Sequence, residues 1–158
     1  MTNRTTMKMM KDIEPEDINW KNGIAWSREL ETGYEKIDTQ HKQLFKMVSD
    51  LIESCQRKDS RITIEETLLF LVEYTAKHFA DEEKIALLYK YPQFAEHRRM
   101  HVKFTELVGN FVKQYEEDGD SESLSTTVHK VIVSWLIQHI QGEDAKIAYR
   151  IKLLTSSS

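Results

Sequence analysis

The sequence predicts an all-α protein with the architecture of an up-down-up-down four-helix bundle. Apolar residues recur at intervals of three and four in four separate stretches, which is the spacing of amphipathic helices. No stretch shows the strict apolar-polar alternation of a half-buried strand. Only five Gly and two Pro interrupt 158 residues. Four such helices with short connections bury their apolar stripes against one another in a bundle.

The N-terminal segment, residues 1–34, lacks a sustained period and is predicted to be an arm that packs on the bundle. Pro15 and Gly23 interrupt it, and Trp20 and Trp26 are expected to cover one end of the core. The bundle is predicted over residues 35–154. The polar residues 155–158 are predicted to form a disordered tail.

The first two predicted helices carry polar residues on their apolar stripes. The first stripe is Ile37, His41, Leu44, Phe45, Val48, Leu51, Ile52 and Cys55. The second is Ile64, Leu68, Leu71, Thr75, His78, Glu82 and Ile85. We expect the second helix to stop before Tyr91 and Pro92, because the residue before a proline disfavours helical geometry.

The last two predicted helices repeat this pattern. The third stripe is Phe94, His97, His101, Phe104, Val108, Phe111 and Tyr115, and Gly119 is expected to end that helix. The fourth stripe is Leu124, Val128, Val131, Ile132, Trp135 and His139. Ser121 or Ser123 is the predicted N-cap of the fourth helix.

Composition excludes some functions. A net charge of −4 without any cluster of Lys and Arg argues against nucleic-acid binding. No segment approaches the roughly 18 to 20 apolar residues of a membrane span, so no membrane insertion is expected. The N-terminus has no apolar run of the signal-peptide type, and the lone Cys55 agrees with a reducing compartment. We therefore expect a cytoplasmic protein.

Histidines on the core stripes predict a metal site. Five of the six histidines lie on these stripes, with at least one on every helix. Leaving each buried imidazole unsatisfied would cost about 1 to 3 kcal/mol, against a total stability of about 5 to 15 kcal/mol. His78 and Glu82 are four residues apart, as are His97 and His101, so each pair projects from one face of its helix. Five imidazoles and a carboxylate exceed the needs of one four-coordinate zinc ion, which favours two metals. Imidazole suits Zn, Cu, Fe and Ni, so the element stays open.

These residues, in their order, resemble the hemerythrin family, specifically its bacterial single-domain members. The resemblance is carried by His41, by HFADEE, by YPQFAEHRRMH and by WLIQHIQGED, and it extends from about Trp26 to Ile151. It implies a hemerythrin-like bundle that holds a bridged centre of two iron ions per chain. It also implies the roles of seven residues. One iron would be bound by His97, His101 and His139, the other by His41 and His78, and both by Glu82 and Asp144.

The resemblance further implies reversible dioxygen binding, for oxygen transport, storage or delivery. Dioxygen would bind at the position left open on the iron that has two histidines. Trp135, Leu136 and Ile140 would exclude water from that position. An electron donor or an oxygen-consuming protein would be the partner of such a function.

Two alternatives remain. In one, the same centre is an enzyme that reduces dioxygen, peroxide or nitric oxide. Oxygen-activating bundles of the ferritin type use several Glu ligands and Glu-x-x-His motifs, whereas imidazole dominates here, so we predict that the protein is not an enzyme. In the other, the protein is a sensor that acts through a separate partner.

One spacing is unexpected. His139 and Asp144 are five residues apart, and an α-helix rotates them onto different faces. Gly142 lies between them and could permit a local bulge.

Overall fold

The computed structural model describes residues 26–156 and has four long helices. Trp20 and the rest of the predicted arm up to residue 25 lie outside the described residues, as do residues 157 and 158 of the predicted tail. The helices are α1 (Glu35–Gln56), α2 (Arg61–Leu88), α3 (Phe94–Asp118) and α4 (residues 121–155), and a short 3-10 turn at Arg28–Leu30 precedes them. The helix α1 lies beside α2 and α4, and α3 completes the ring between them. The predicted all-α four-helix bundle is confirmed.

Helix ends follow the sequence signals with one exception. The Ser60 hydroxyl caps α2 by accepting a hydrogen bond from the Thr63 N–H. Gly119 ends α3 with a φ of 61°, in the left-handed region that favours glycine. The prediction of a serine N-cap for α4 is wrong. Asp120 occupies that position, and its carboxylate accepts from the Ser123 N–H.

The helix α4 is not uniformly α-helical. Its α-helical segments are Ser121–Thr127, Val133–His139 and Ala145–Thr155, and its π-helical segments are Val128–Ile132 and Ile140–Asp144. In each π-helical segment a backbone N–H reaches the carbonyl five residues earlier, as from Ala145 to Ile140. The prediction that Val131 belongs to the core stripe is wrong, since its side chain is 36% exposed. A uniform helical period was assumed there, and the first π-helical segment changes the period.

Two apolar clusters fill the bundle, and a polar layer separates them along every helix. On α1, His41 lies between Ile37 of the smaller cluster and Leu44 of the larger one. On α3, His97 and His101 lie between Phe94, which packs against the smaller cluster, and Phe104 of the larger one. The half-buried Trp26 packs against the larger cluster. Within residues 26–156, none of the helices combines the length and the apolar character needed to cross a bilayer.

Candidate metal centre

The polar layer contains all seven residues to which the sequence assigned metal ligation. His41 comes from α1, His78 and Glu82 from α2, His97 and His101 from α3, and His139 and Asp144 from α4. Each is at most 5% exposed, and Glu82 is fully buried. His129, which matches no ligand position in the sequence, lies outside the cluster.

The cluster divides into two groups that share both carboxylates. One group is Glu82, His97, His101, His139 and Asp144, and the other is His41, His78, Glu82 and Asp144. Within each group, one ligand-type atom per residue lies within 4.8 Å of all the others. Two metal positions that share two bridging carboxylates would produce this division.

The π-helical segment at Ile140–Asp144 places the α4 pair together. His139 Nε2 lies 3.1 Å from Asp144 Oδ1, although an ordinary α-helix would direct these side chains to different faces. Each hydrogen bond in a π-helical segment spans five residues, so residues five apart lie one turn apart on the same side of the helix. Gly142 is not required by space, because an added Cβ would meet no atom within 4 Å.

Imidazole nitrogens crowd together at the first group. His101 Nε2 lies 3.1 Å from His139 Nε2, which in turn lies 3.2 Å from His97 Nε2. Ligands about 2.1 Å from a metal lie about 3.0 Å apart at right angles and about 3.4 Å apart in a tetrahedron. The observed separations of 3.1 and 3.2 Å lie between these two values. The three nitrogens are therefore spaced as ligands of one metal ion would be, whether that ion has four ligands or more.

Buried polar atoms in the cluster lack hydrogen bonds of good geometry within the described residues. They include His41 Nε2, Glu82 Oε2 and both carboxylate oxygens of Asp144. His41 Nε2 and Asp144 Oδ2 are only 2.9 Å apart, so the distance would allow a hydrogen bond and only the angles prevent one. Each unsatisfied group costs about 1 to 3 kcal/mol, which a protein of ordinary stability cannot accept several times over. Metal ions among these atoms would satisfy them, and the donor set fits such ions.

Nearby imidazoles hold both carboxylates of the cluster in their charged form. Burial raises the pKa of Glu82, but contacts with the imidazoles of His101, His41 and His78 outweigh it and hold the pKa well below its usual value. Burial and the charge of Glu82 raise the pKa of Asp144, but the charge of His139 and hydrogen bonds from His139 and His41 together outweigh them, so the pKa of Asp144 is also lowered. Both carboxylates are therefore anionic and need positive charge nearby.

Two histidines supply that charge in the metal-free protein. Burial lowers the pKa of His41, but Asp144 and Glu82 raise it to about 9. The same two carboxylates overcome burial at His97 and raise its pKa to about 10. Two protonated imidazoles then balance two carboxylates. Metal ions would take over this role and displace the protons.

Apolar side chains surround the cluster. Trp135 stacks on His139 with ring centroids 4.3 Å apart and on Phe104 at 4.0 Å. Leu136 and Ile140 are 4% and 1% exposed. Phe79 stacks on His101 at 3.8 Å. Phe79 was not predicted from the sequence to be part of the site, although it directly follows His78.

Gln40 also went unrecognised in the sequence. Its side chain is 7% exposed and contacts the Nδ1 atom of His78 at 2.7 Å. The one available signal in the sequence was the position of Gln40 directly before His41. Glu83, next to Glu82, contacts the Nδ1 atom of His101 at 2.8 Å.

Comparison with known proteins identifies relatives along most of the chain. A family model described as "Hemerythrin HHE cation binding domain" matches residues 32–151. A bacteriohemerythrin of Stenotrophomonas maltophilia (strain R551-3) is 30% identical over 129 residues, which cover 82% of either chain. A myohemerythrin of Theromyzon tessulatum is 33% identical over 128 residues, covering 81% of this chain and 92% of that protein. The matched region contains all seven residues of the cluster.

Proposed function

This chain belongs to the hemerythrin family, and we propose on that premise that it binds dioxygen reversibly at a non-heme centre of two iron ions. The observation that carries the proposal is the division of seven buried residues into two groups that share Glu82 and Asp144. A single metal ion would leave two of the five histidines without a role.

The proposed ligand roles follow this division. His97, His101 and His139 would hold one iron, His41 and His78 would hold the other, and Glu82 and Asp144, which belong to both groups, would be shared. When bound, the ferrous ions supply the electrons and the open coordination position that dioxygen requires. The carboxylates balance the positive charge of the ions within the buried layer.

Apolar residues keep the centre dry. Trp135 covers the ring of His139, and the buried side chains of Leu136 and Ile140 lie on the same helix, beside it in sequence. Water and protons promote irreversible oxidation of such a centre, so their exclusion is what makes binding reversible. The same centre in a wetter pocket would consume dioxygen instead of releasing it. Transport, storage or delivery to a partner protein would each use this reversible step.

An oxygenation cycle tests the proposed function. The iron-loaded, reduced protein is exposed to air and then deoxygenated, while its visible absorption is recorded. We expect a new ligand-to-iron band that appears with air and disappears on deoxygenation. Immediate conversion to a permanently oxidised form would contradict reversible binding and favour the enzymatic alternative.

Metal content tests the ligand roles separately. The variant His101→Ala should lose iron, because a buried Nε2 of the crowded group is removed. The matched control is His129→Ala, which changes a histidine outside the cluster and should retain two irons per chain. Two irons per chain in His101→Ala would contradict the assignment.

A further inference from the structure

Two histidines of the cluster make defined hydrogen bonds through the nitrogen that faces away from it. His101 Nδ1 lies 2.8 Å from Glu83 Oε2, and His78 Nδ1 lies 2.7 Å from Gln40 Oε1. The opposite nitrogen of each ring faces Glu82, at 3.1 Å for His101 and 3.4 Å for His78. Carboxylate and amide oxygens only accept hydrogen bonds, so Nδ1 is the donor in both rings, and each Nε2 lies on the side of the proposed metal position.

The orientation of the Gln40 amide is determined by its second partner. Its Nε2 donates to Asp81 Oδ2 at 2.8 Å, and Lys77 Nζ donates to the same oxygen at 3.1 Å. A reversed amide would place its oxygen against the carboxylate of Asp81 and its NH2 group against the ring N–H of His78. The carbonyl oxygen must therefore face His78, and the acceptor of that imidazole is neutral.

The acceptor of His101 is an anion. Glu83 is a carboxylate with 23% exposed side chain, and its other oxygen lies 3.9 Å from Arg98 Nε. A carboxylate that accepts from a ligand histidine raises the basicity of the ligating nitrogen more strongly than a neutral amide does. His101 belongs to the three-histidine group, and His78 to the two-histidine group.

We propose that Glu83 and Gln40 are positioning residues that make the two metal positions unequal in donor strength. Glu83 orients His101 and adds negative charge behind the three-histidine position. Gln40 orients His78 with the same precision and adds no charge. The proposal rests on the proposed metal centre, but not on the fate of dioxygen.

Unequal donor strength has two consequences. The three-histidine position holds its metal more tightly and favours the higher oxidation state of iron. The two-histidine position stays less electron-rich, so a metal ion held there would be the stronger Lewis acid of the two. The chain thus distinguishes the two irons by residues that touch neither of them.

Zinc-loaded protein provides a test that needs neither iron nor dioxygen. Nitrogen-15 NMR of the histidine rings reports the Nδ1 hydrogen bonds, and competition with a chelator reports the affinity of each of the two zinc positions. In Glu83→Gln, we expect the His101 Nδ1 resonance to shift and one of the two zinc ions to be held about 10- to 100-fold more weakly. The control Glu106→Gln makes the same change in net charge on the exposed face of α3 and should change neither measurement.

A charge exchange tests Gln40 in the opposite direction. The double variant Gln40→Glu/Asp81→Asn keeps the net charge and a donor-acceptor pair between the two side chains, but it presents a carboxylate to His78. We expect the weaker zinc position to tighten about tenfold or more and the His78 Nδ1 resonance to shift. With iron bound, the reduction potential should rise in Glu83→Gln and fall in the double variant.

The outcomes separate the two proposals. Equal weakening of both zinc positions in Glu83→Gln, or no change in either variant, would overturn the unequal-donor proposal. Irreversible oxidation in air would overturn the proposed dioxygen function and leave the zinc results valid. A wild-type chain that binds no zinc would overturn both, since both depend on a metal centre.

Discussion

Metal uptake by the metal-free protein should release about one proton for each metal ion bound near neutral pH. His97, with a pKa of about 10, belongs to one metal position, and His41, with a pKa of about 9, belongs to the other. Each must lose its proton before Nε2 can bind a metal. Well below these pKa values both stay protonated, so the apparent affinity of each position should rise about tenfold per pH unit.

Calorimetric titration with zinc measures this proton release. Two buffers of different ionisation enthalpy are used at the same pH, and the difference in heat gives the protons released per zinc. The variant His129→Gln is the control, because it removes a histidine outside both groups and should leave the count unchanged. Much less than one proton per zinc ion, or an affinity independent of pH, would refute the presence of two protonated histidines in the cluster.

The same pKa shifts predict the stability of the metal-free protein. Folding raises the pKa of both histidines from 6.5, so their contribution is fully present below about pH 6.5 and is lost as the pH rises through 9 to 10. Folding lowers the pKa of Glu82 and Asp144 from 4.5 and 3.8, so their contribution is lost in acid. The thermal unfolding temperature of the metal-free protein should therefore be highest between about pH 4.5 and 6.5. A maximum above pH 9 would contradict the protonated histidines.

Three further predictions concern single positions. Leu136→Ala should cost about 2 to 5 kcal/mol of stability and should speed autoxidation by admitting water. The control Leu124→Ala, also buried on α4, should cost as much stability but leave the autoxidation rate unchanged. Equal autoxidation rates in the two variants would show that Leu136 does not line the pocket. Gly119→Ala should destabilise the protein by about 1 to 2 kcal/mol in thermal unfolding, because the φ of Gly119 is 61° and an added Cβ would lie 3.0 Å from an arginine side chain. Gly109→Ala, inside α3, should stabilise the protein by about 0.5 to 1 kcal/mol. A change of the same sign in both variants would contradict this account. Burial, aided by the charge of Asp59, raises the pKa of the Cys55 thiol to about 11, so alkylation at pH 7 should be far slower in the folded than in the unfolded chain, and fast labelling would refute the buried thiol.

Much of the fold could be predicted from the pattern of apolar and polar residues along the chain. The stripe of α1 is buried as predicted, from Ile37 to Cys55, because an apolar face of a helix must be covered. Gly119 ends α3 as predicted, because a left-handed residue at a helix end favours glycine. The N-cap of α4 was wrong, since Asp120, Ser121 and Ser123 are all good capping residues and only the path of the chain selects one.

Sequence patterns did not predict those parts of the candidate site that depend on a local irregularity in a helix. The meeting of His139 with Asp144 requires a π-helical segment, and a five-residue spacing alone does not predict one. The same limitation explains Val131, which a uniform period assigned to the core. The role of Gln40 depends on Asp81 and His78 of a different helix, so no spacing within α1 indicates it.

By itself, the sequence determined that four amphipathic helices bury five histidines and at least one carboxylate. That follows because helical periodicity is local and because buried polar groups need partners. The tertiary structure decided how these groups divide. It brought Glu82 and Asp144 between two sets of histidines, closed the α4 pair through a π-helical segment, and gave His101 a charged acceptor and His78 a neutral one. These relations join residues up to 103 positions apart, from His41 to Asp144, and only the packing of the four helices brings them within contact distance.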